Sequence, residues 1–287
     1  MMIAQSQLPT FMAVAELLNL SAAARRLGIT QTGATQRIKS LEQSLGATLF
    51  TRSRSGMRLT EEGRQLLRYC IEVSNLEGHL LSGMKGSREP RQVELCIVGP
   101  MSLIAGRVVP RYREIAPEWP NLNVKLVIDS NANRLNQLKR GACDLVFVFP
   151  HEVGLELDSK LVKPVEYVLL ATPEWKSRSL KQLLETEKLL AYHENDTTGL
   201  DYLKTFNLLE SFRRSRTCVN ENVTLIRMLE LGLGFGVLPK EIAEPLVSEN
   251  RLFVLNQGRS YKIPFALAWY PRREMPDYFR EIVRMIK

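Results

Sequence analysis

Apolar and polar positions follow several rhythms along this chain, and each rhythm predicts a different kind of element. Between Ser21 and Leu45 the spacing is helical. Ser21 can cap a first helix of strong formers from Ala22 to Leu27, and Gly28 stands where a left-handed residue commonly ends one. Gly28-Ile29-Thr30 makes a tight turn. Thr30 can cap a second helix, in which Ala34, Ile38, Leu41 and Leu45 recur at spacings of four, three and four before Gly46 stops it. One face is therefore buried. At about 100° per residue, the opposite face carries Thr32, Gln36, Lys39 and Gln43, with Thr35 at its edge and Gln31 in the first turn. Leu49-Phe50 then supplies an apolar anchor, and Thr51 to Leu59 reads as a short hairpin with Gly56 at its tip.

Thr60 can cap a long helix through about Lys85. Leu66, Tyr69, Val73, Leu76 and Leu80 fall on alternating spacings of three and four, with Met84 further along the same stripe. A helix of about twenty-five residues extends roughly 37 Å, too far for one small domain to cover, so the stripe predicts a seam for a partner helix. The rhythm is lost at Lys85-Gly-Ser-Arg-Glu-Pro90-Arg, a linker. Beyond it strands and helices alternate: Val93 to Val98, Leu103 to Ile115, Val124 to Ile128, Arg134 to Arg140, Asp144 to Phe149. A second half follows, with strands at Glu166 to Ala171, Leu189 to Tyr192 and Gly236 to Pro239, and helices near Leu200 to Phe206 and Val223 to Leu231. Phe265 to Tyr270 is a further strand, and Pro276 to Lys287 an amphipathic helix that can return to the first half. Such alternation predicts an α/β fold with a largely parallel sheet in two halves.

Charge changes the picture at the amino-terminal end. Arg25, Arg26, Arg37, Lys39, Arg52, Arg54, Arg58 and Arg64 face only Glu42, Glu61 and Glu62 between Asn19 and Arg64, and most of the chain's net +8 sits in its first third. That asymmetry is the footprint of phosphate binding. Side chains such as Gln31, Thr32, Thr35, Gln36 and Lys39 read base edges when a helix enters the major groove, while arginines on a hairpin grip the backbone.

These residues resemble the LysR-type transcriptional regulators. Ser21-Ala-Ala-Ala-Arg-Arg-Leu-Gly-Ile-Thr-Gln31, Ile38-Lys-Ser-Leu-Glu42, Leu45-Gly46, Leu49-Phe50-Thr-Arg52 and Leu59-Thr60-Glu-Glu-Gly63 carry the resemblance. The family often has Pro where Thr32 stands and Ser-Arg where Thr35-Gln36 stand, departures that bear on which bases are read. Gln36-Arg37-Ile38-Lys39 is similar to the arginine- and lysine-responsive branch. The resemblance implies a winged helix-turn-helix over residues 1–59, a linker and dimerisation helix over 60–86, and a two-lobed, periplasmic-binding-protein-like α/β effector domain. Its first lobe is 91–163 with 265–287, and its second 164–264. A homodimer or homotetramer on double-stranded DNA, with a small-molecule effector, is what it implies for partners; the effector is an amino acid or organic acid.

Ligands in open α/β sheets bind at the carboxyl ends of strands. Four segments qualify: Met101, Ser102 and Leu103 after the first strand, Ser130 and Asn131 after the second, Asp196, Thr197 and Thr198 in the second lobe, and Asn220 with Asn222 at a helix start. Helix capping alone accounts for any one of them. Glu194, Asp196 and Asp201 fit either a cationic ligand or a solvated acidic turn. Leu231-Gly-Leu-Gly-Phe-Gly-Val-Leu-Pro239 is close to the family's glycine-rich signature, and because a helix precedes it the dinucleotide reading is rejected.

Catalytic chemistry is not visible. His79, His151 and His193 lack the spacing of a metal site or triad, and no cofactor is implied. Cys70, Cys96, Cys143 and Cys218 are scattered without a Cys-x-x-Cys pair; peroxide-sensing members of the family need two cysteines in the second lobe, which here holds Cys218 alone. No apolar run approaches a membrane span, and Met1 to Pro9 lacks a signal-peptide core, so a cytoplasmic regulator is expected. An effector-independent architectural or replication-associated DNA binder is the second class; an enzyme would need a nucleophile, base and orienter together.

Overall fold

A computed structural model describes residues 7–53, 56–83, 93–129, 134–272 and 274–287, without the side chains of residues 52, 53, 72 and 74–83. The chain opens with α1 (Leu8–Leu17), α2 (Leu20–Arg26) and α3 (Gln31–Leu45), followed by the hairpin β1 (Phe50–Ser53) and β2 (Gly56–Leu59) and by α4 (Glu61–Gly83). α1 is an unforeseen element. Its Phe11 and Val14 are fully buried and, with Ala23, Ala34, Ile38, Leu41, Leu49 and Leu59, form one core. α2 is capped by Asn19, whose side chain accepts from the Ala22 N–H at 3.0 Å, so the expected cap at Ser21 lies two residues too far in. Thr30 caps α3 as expected, accepting from the Gly33 N–H, and Gly46 ends it with φ 64°.

The α/β part begins with β3 (Val93–Gly99), α5 (Met101–Leu103), a π-helical turn at Ile104–Val108, and α6 (Val109–Ile115). β4 (Leu122–Ile128), α7 (Arg134–Lys139), β5 (Leu145–Val148) and the long β6 (Asp158–Ala171) come next. Then follow α8 (Leu180–Thr186), β7 (Leu189–Ala191), α9 (Thr198–Thr205), β8 (Arg216–Cys218), α10 (Asn222–Glu230), β9 (Phe235–Pro239), α11 (Lys240–Ser248) and β10 (Phe253–Val254). β11 (Ser260–Trp269) and α12 (Asp277–Met285) finish the chain.

Two compact units result: one comprises the chain up to Ile104, Arg111–Lys160 and Ala266–Ile286, and the other Ala105–Pro110 and Leu161–Phe265 with the last residue. In the first, the strands run in the order β4-β3-β5-β11; β3 is parallel to β4 and β5, and β11 antiparallel to β5. Parallel pairing puts Gly99, Ile128 and Val148 at one end. α12 packs here through Tyr278, Phe279, Ile282 and Val283, as its amphipathic pattern implied. Asp144 fixes the start of β5 by accepting from the Cys96 N–H at 2.9 Å and from Arg272 at 2.7 Å, a pair that is mostly buried.

α4 serves two neighbours within this unit. Leu66, Leu67 and Cys70 complete the winged-helix core, while Leu67 and Ile71 meet Gly141, where an added Cβ would stand 2.5 Å from Ile71 Cδ1. The Arg68 guanidinium lies 4.7 Å over the Tyr270 ring.

In the second unit the order is β6-β9-β7-β8, with β10 on β6. β6 is buried on both faces: Leu169 and Ala171 enter one core, Val168 and Leu170 the other, the two-residue period of a strand. The glycine-rich turn has a steric explanation. Gly232 takes a left-handed conformation after α10, and at Gly234 a Cβ would stand 2.5 Å from the Lys188 carbonyl oxygen, so a bare backbone lets β9 close on β7.

Candidate DNA and effector sites

The expected DNA-reading face is what α3 does not bury. Ala34, Ile38 and Leu41 face the core, and Gln31, Thr32, Gln36, Lys39 and Gln43 are exposed. Two of the expected readers are already engaged: the Gln31 carbonyl oxygen accepts from Ser21 at 2.9 Å, and the Thr35 hydroxyl donates to the Gln31 main-chain carbonyl. Thr32, Gln36 and Lys39 project from the middle of the exposed face. The hairpin is held at both ends, at its start by α3 and at its end by the start of α4. Glu42 accepts from the Leu49 N–H at 2.7 Å, and Thr60 donates its hydroxyl to the Thr48 carbonyl at 2.6 Å while accepting from the Gly63 N–H. Only glycine fits at position 63, where a Cβ would come within 2.2 Å of the Leu49 carbonyl oxygen. Of the family-like residues, Glu42 thus ties α3 to the start of the hairpin, while Thr60 and Gly63 hold the start of α4 against the Thr48–Leu49 segment. Arg58 is exposed on β2; Arg54 and the Arg52 side chain lie outside the described residues.

Along α4 the expected seam divides. Leu66 belongs to the winged-helix core, 7 % exposed, because the first turns of the helix are still covered by their own domain. Tyr69 is 44 % exposed and Val73 half-buried, while Leu76 and Leu80 have side chains outside the description.

Of the effector candidates, Met101, Ser102 and Leu103 follow the end of β3. Leu103 is fully buried in the core, and Ser102 is 3 % exposed with a hydroxyl that has no hydrogen-bond partner among the described residues. Ser130 and Asn131 lie outside the described residues. In the second unit, parallel β7 and β8 end together at Ala191 and Cys218, which gathers the other two segments. There the polar side chains are engaged in local hydrogen bonds. Asp196 accepts from the Thr198 and Tyr192 amides, and Thr197 donates to Asp201 at 2.7 Å. At α10 the cap is Glu221, between the predicted Asn220 and Asn222, accepting from the Val223 and Thr224 amides. Those hydrogen bonds hold its carboxyl below the ordinary value. Arg216 donates to the Asp196 and Glu194 carbonyls, so the acidic turn is pinned by its backbone.

Among the described residues no cluster of three His, Cys, Asp or Glu side chains could hold a metal ion, and no described helix is long and apolar enough to cross a membrane. Sequence reasoning missed Arg134. It begins α7, is 4 % exposed, and reaches the Phe147 carbonyl with Nε at 2.8 Å. No periodicity marks a charged residue for burial.

Residues 88–287 match the LysR substrate binding domain, and residues 5–64 the bacterial regulatory helix-turn-helix protein, lysR family. The chain belongs to the LysR family. This LysR-type protein is a DNA-binding transcriptional regulator with a carboxyl-terminal effector-binding domain. It is similar to the HTH-type transcriptional regulator TtuA of Agrobacterium vitis, 27% identical over 278 residues that cover 92% of this chain and 90% of TtuA. Among solved structures, ArgP from Mycobacterium tuberculosis shares its fold with a TM-score of 0.77 at 20% identity, over 99% of this chain and 96% of that one. Full-length LysG from Corynebacterium glutamicum with bound effector Arg gives 0.71 at 18%, covering 98% and 95%.

Proposed function

We propose that this LysR-type regulator reads a pseudo-palindromic operator as a homodimer or homotetramer, and that an amino acid or organic acid at the strand ends of its effector domain changes those DNA contacts. The observation that carries the DNA half is the division of α3 into a buried apolar face and an exposed face bearing Thr32, Gln36, Lys39 and Gln43. Thr32, Gln36 and Lys39 contact base edges, with Gln31 and Thr35 ordering the first turn. Arg52, Arg54 and Arg58 contact phosphates. Tyr69, Val73, Leu76 and Leu80 pair the linker helices, which sets two recognition helices on one side of the duplex.

On the effector side, Met101, Ser102, Leu103, Ser130 and Asn131 contribute from the first lobe (91–163 with 265–287), and Asp196, Thr197, Thr198, Asn220 and Asn222 from the second (164–264). The buried hydroxyl of Ser102 supports this most directly. The effector must bind one conformation more tightly than another. The protein acts by binding rather than catalysis, in the cytoplasm with the chromosome. A nuclease footprint of the full-length protein on DNA upstream of its own gene, with and without pooled amino acids and organic acids, tests the reading. The expected result is an extended, bounded footprint that one pool alters. Uniform, salt-sensitive coverage that no pool alters would overturn it in favour of an architectural DNA binder.

A further inference from the structure

We propose that Ser21 is a positioning residue for DNA recognition: it holds the side-chain carbonyl of Gln31, leaves that amide its two N–H groups to offer, and so directs Gln31 to guanine or thymine and away from adenine. The proposal builds on the reading that α3 enters the major groove, and adds which base chemistry its first residue accepts. Ser21 has the character of a helix cap, yet that role is taken by Asn19, whose side chain accepts from the Ala22 N–H at 3.0 Å. The Ser21 hydroxyl, exposed on the first turn of α2, is thereby left to donate to Gln31 Oε1 at 2.9 Å. This bond spans the turn between α2 and α3.

The neighbouring polar groups at this end of α3 serve the helix. The Thr30 hydroxyl accepts from the Gly33 N–H at 3.0 Å, and the Thr35 hydroxyl donates to the Gln31 main-chain carbonyl at 2.9 Å. A Cβ at Gly33 would stand 3.1 Å from the Thr30 hydroxyl oxygen, so glycine leaves that cap undisturbed. Each oxygen of Gln31 therefore has its donor, Oε1 from Ser21 and the main-chain carbonyl from Thr35. Its Nε2 donates to no group among the described residues, and the side chain is exposed. With Oε1 turned to α2, Nε2 points away from α2.

A recognition helix meets base edges through its N-terminal residues, and Gln31 is the first residue of α3. An unconstrained glutamine reads adenine with both ends of its amide, the oxygen accepting from N6 and the nitrogen donating to N7. That pair needs both atoms aimed at one base, and the bond to Ser21 takes the oxygen elsewhere. What remains is a donor. Guanine presents N7 and O6 to the major groove and thymine presents O4, all acceptors; adenine and cytosine place an exocyclic amine on the same edge, a donor facing a donor. The Ser21 hydroxyl also polarises the amide, which makes its N–H groups better donors.

The test selects duplexes from a random-core library with the full-length protein and reads base preference at each position. Gln31→Ala locates the position concerned, as the one whose preference flattens. There the wild type should admit guanine and thymine on one strand and disfavour adenine and cytosine roughly three- to tenfold. Gln31→Glu, which keeps a good helix start and replaces donors by acceptors, should lose more affinity for the selected duplex than Gln31→Ala. Ser21→Ala frees the amide to pair with adenine and should raise adenine at this position at least about threefold. Ser21→Thr, which retains the hydroxyl, should keep the wild-type profile, and Ser21→Ala should change nothing once Gln31 is alanine. A merely structural hydroxyl would lower affinity for all duplexes alike and leave the profile unmoved. Adenine alone preferred by the wild type, an unchanged profile in Ser21→Ala, or the same effect of Ser21→Ala with and without Gln31 overturns the inference. If Thr32→Ala and Gln36→Ala shift positions of their own while the Ser21 and Gln31 variants shift none, α3 still reads the groove and only the assignment to Ser21 falls. If no α3 variant shifts any position, the reading of α3 falls with it.

Discussion

At the scale of single residues the DNA surface separates by chemistry. Thr32→Ala and Gln36→Ala should lower discrimination between operator and random duplex more than they lower overall affinity. Arg58→Ala should weaken both duplexes alike and reduce the salt slope by about one ion. Fluorescence-anisotropy titrations on both DNAs at several salt concentrations check this, and equal losses for the two groups would contradict it. Gly63→Ala forces a methyl group onto the Leu49 carbonyl and should lower stability by about 2 kcal/mol or more in thermal melts, with loss of operator binding in proportion. The thiols divide by burial. Burial pushes Cys70 up to about 11, burial assisted by Asp144 does the same for Cys96, and Cys143 is pushed higher still, whereas Cys218 is exposed. A thiol reagent at neutral pH should therefore modify Cys218 quickly, half-buried Cys96 more slowly, and Cys70 and Cys143 only on unfolding. Residue identity made the exposed face of α3 legible, because a helix of known phase assigns every side chain to a side. It could not reveal Arg134 or Glu221: one is buried and the other caps α10 through tertiary and local geometry that composition does not encode.

At the scale of elements, long periodic segments were readable and short or atypical ones were not. α3, α4 and α12 carry enough turns for one period to dominate, whereas β6 begins at Asp158 and only its end from Glu166 was expected as a strand. α1 escaped notice because its buried positions sit in a nearly continuous apolar run, and α11 because Pro245 interrupts a helix whose partners lie elsewhere in the unit. β8 is three residues long and exists only because β7 pairs with it. The stripe expected along α4 includes Leu66, which belongs to the winged-helix core, since one stripe cannot say where a domain's own core ends and a partner begins. If the seam beyond Leu66 joins two copies, Val73→Asp should convert the dimer to monomers in sedimentation and abolish cooperative operator binding, while far-ultraviolet dichroism stays native.

At the scale of the whole molecule, acid should destabilise the fold by a route the ion pairs define. Glu61, Glu166 and Glu221 are held below the ordinary 4.5 by hydrogen bonds from Arg64, from Lys262 with Ser260, and from the Val223 and Thr224 amides; at Glu230 burial pushes upward but Arg227 and Arg251 prevail. A carboxyl depressed in the native state contributes stability that is present above its unfolded value and lost as pH falls through the folded one. The melting temperature should hold steady at neutral pH and decline below about 4.5, and glutamine at Glu221 and Glu230 together should make that decline shallower.

Because Leu67 and Ile71 touch both the winged-helix core and Gly141, and Arg68 beside them lies over the Tyr270 ring, the DNA-reading head is not freely interchangeable. A chimaera spliced at Thr60 would set a foreign helix against a glycine whose open space is shaped for this one. A splice beyond Val73 would carry the matched surface along. Exchange of operator preference between relatives, in the laboratory or over evolutionary time, therefore has a preferred crossover point, and it lies partway along α4 rather than at the border of the winged helix.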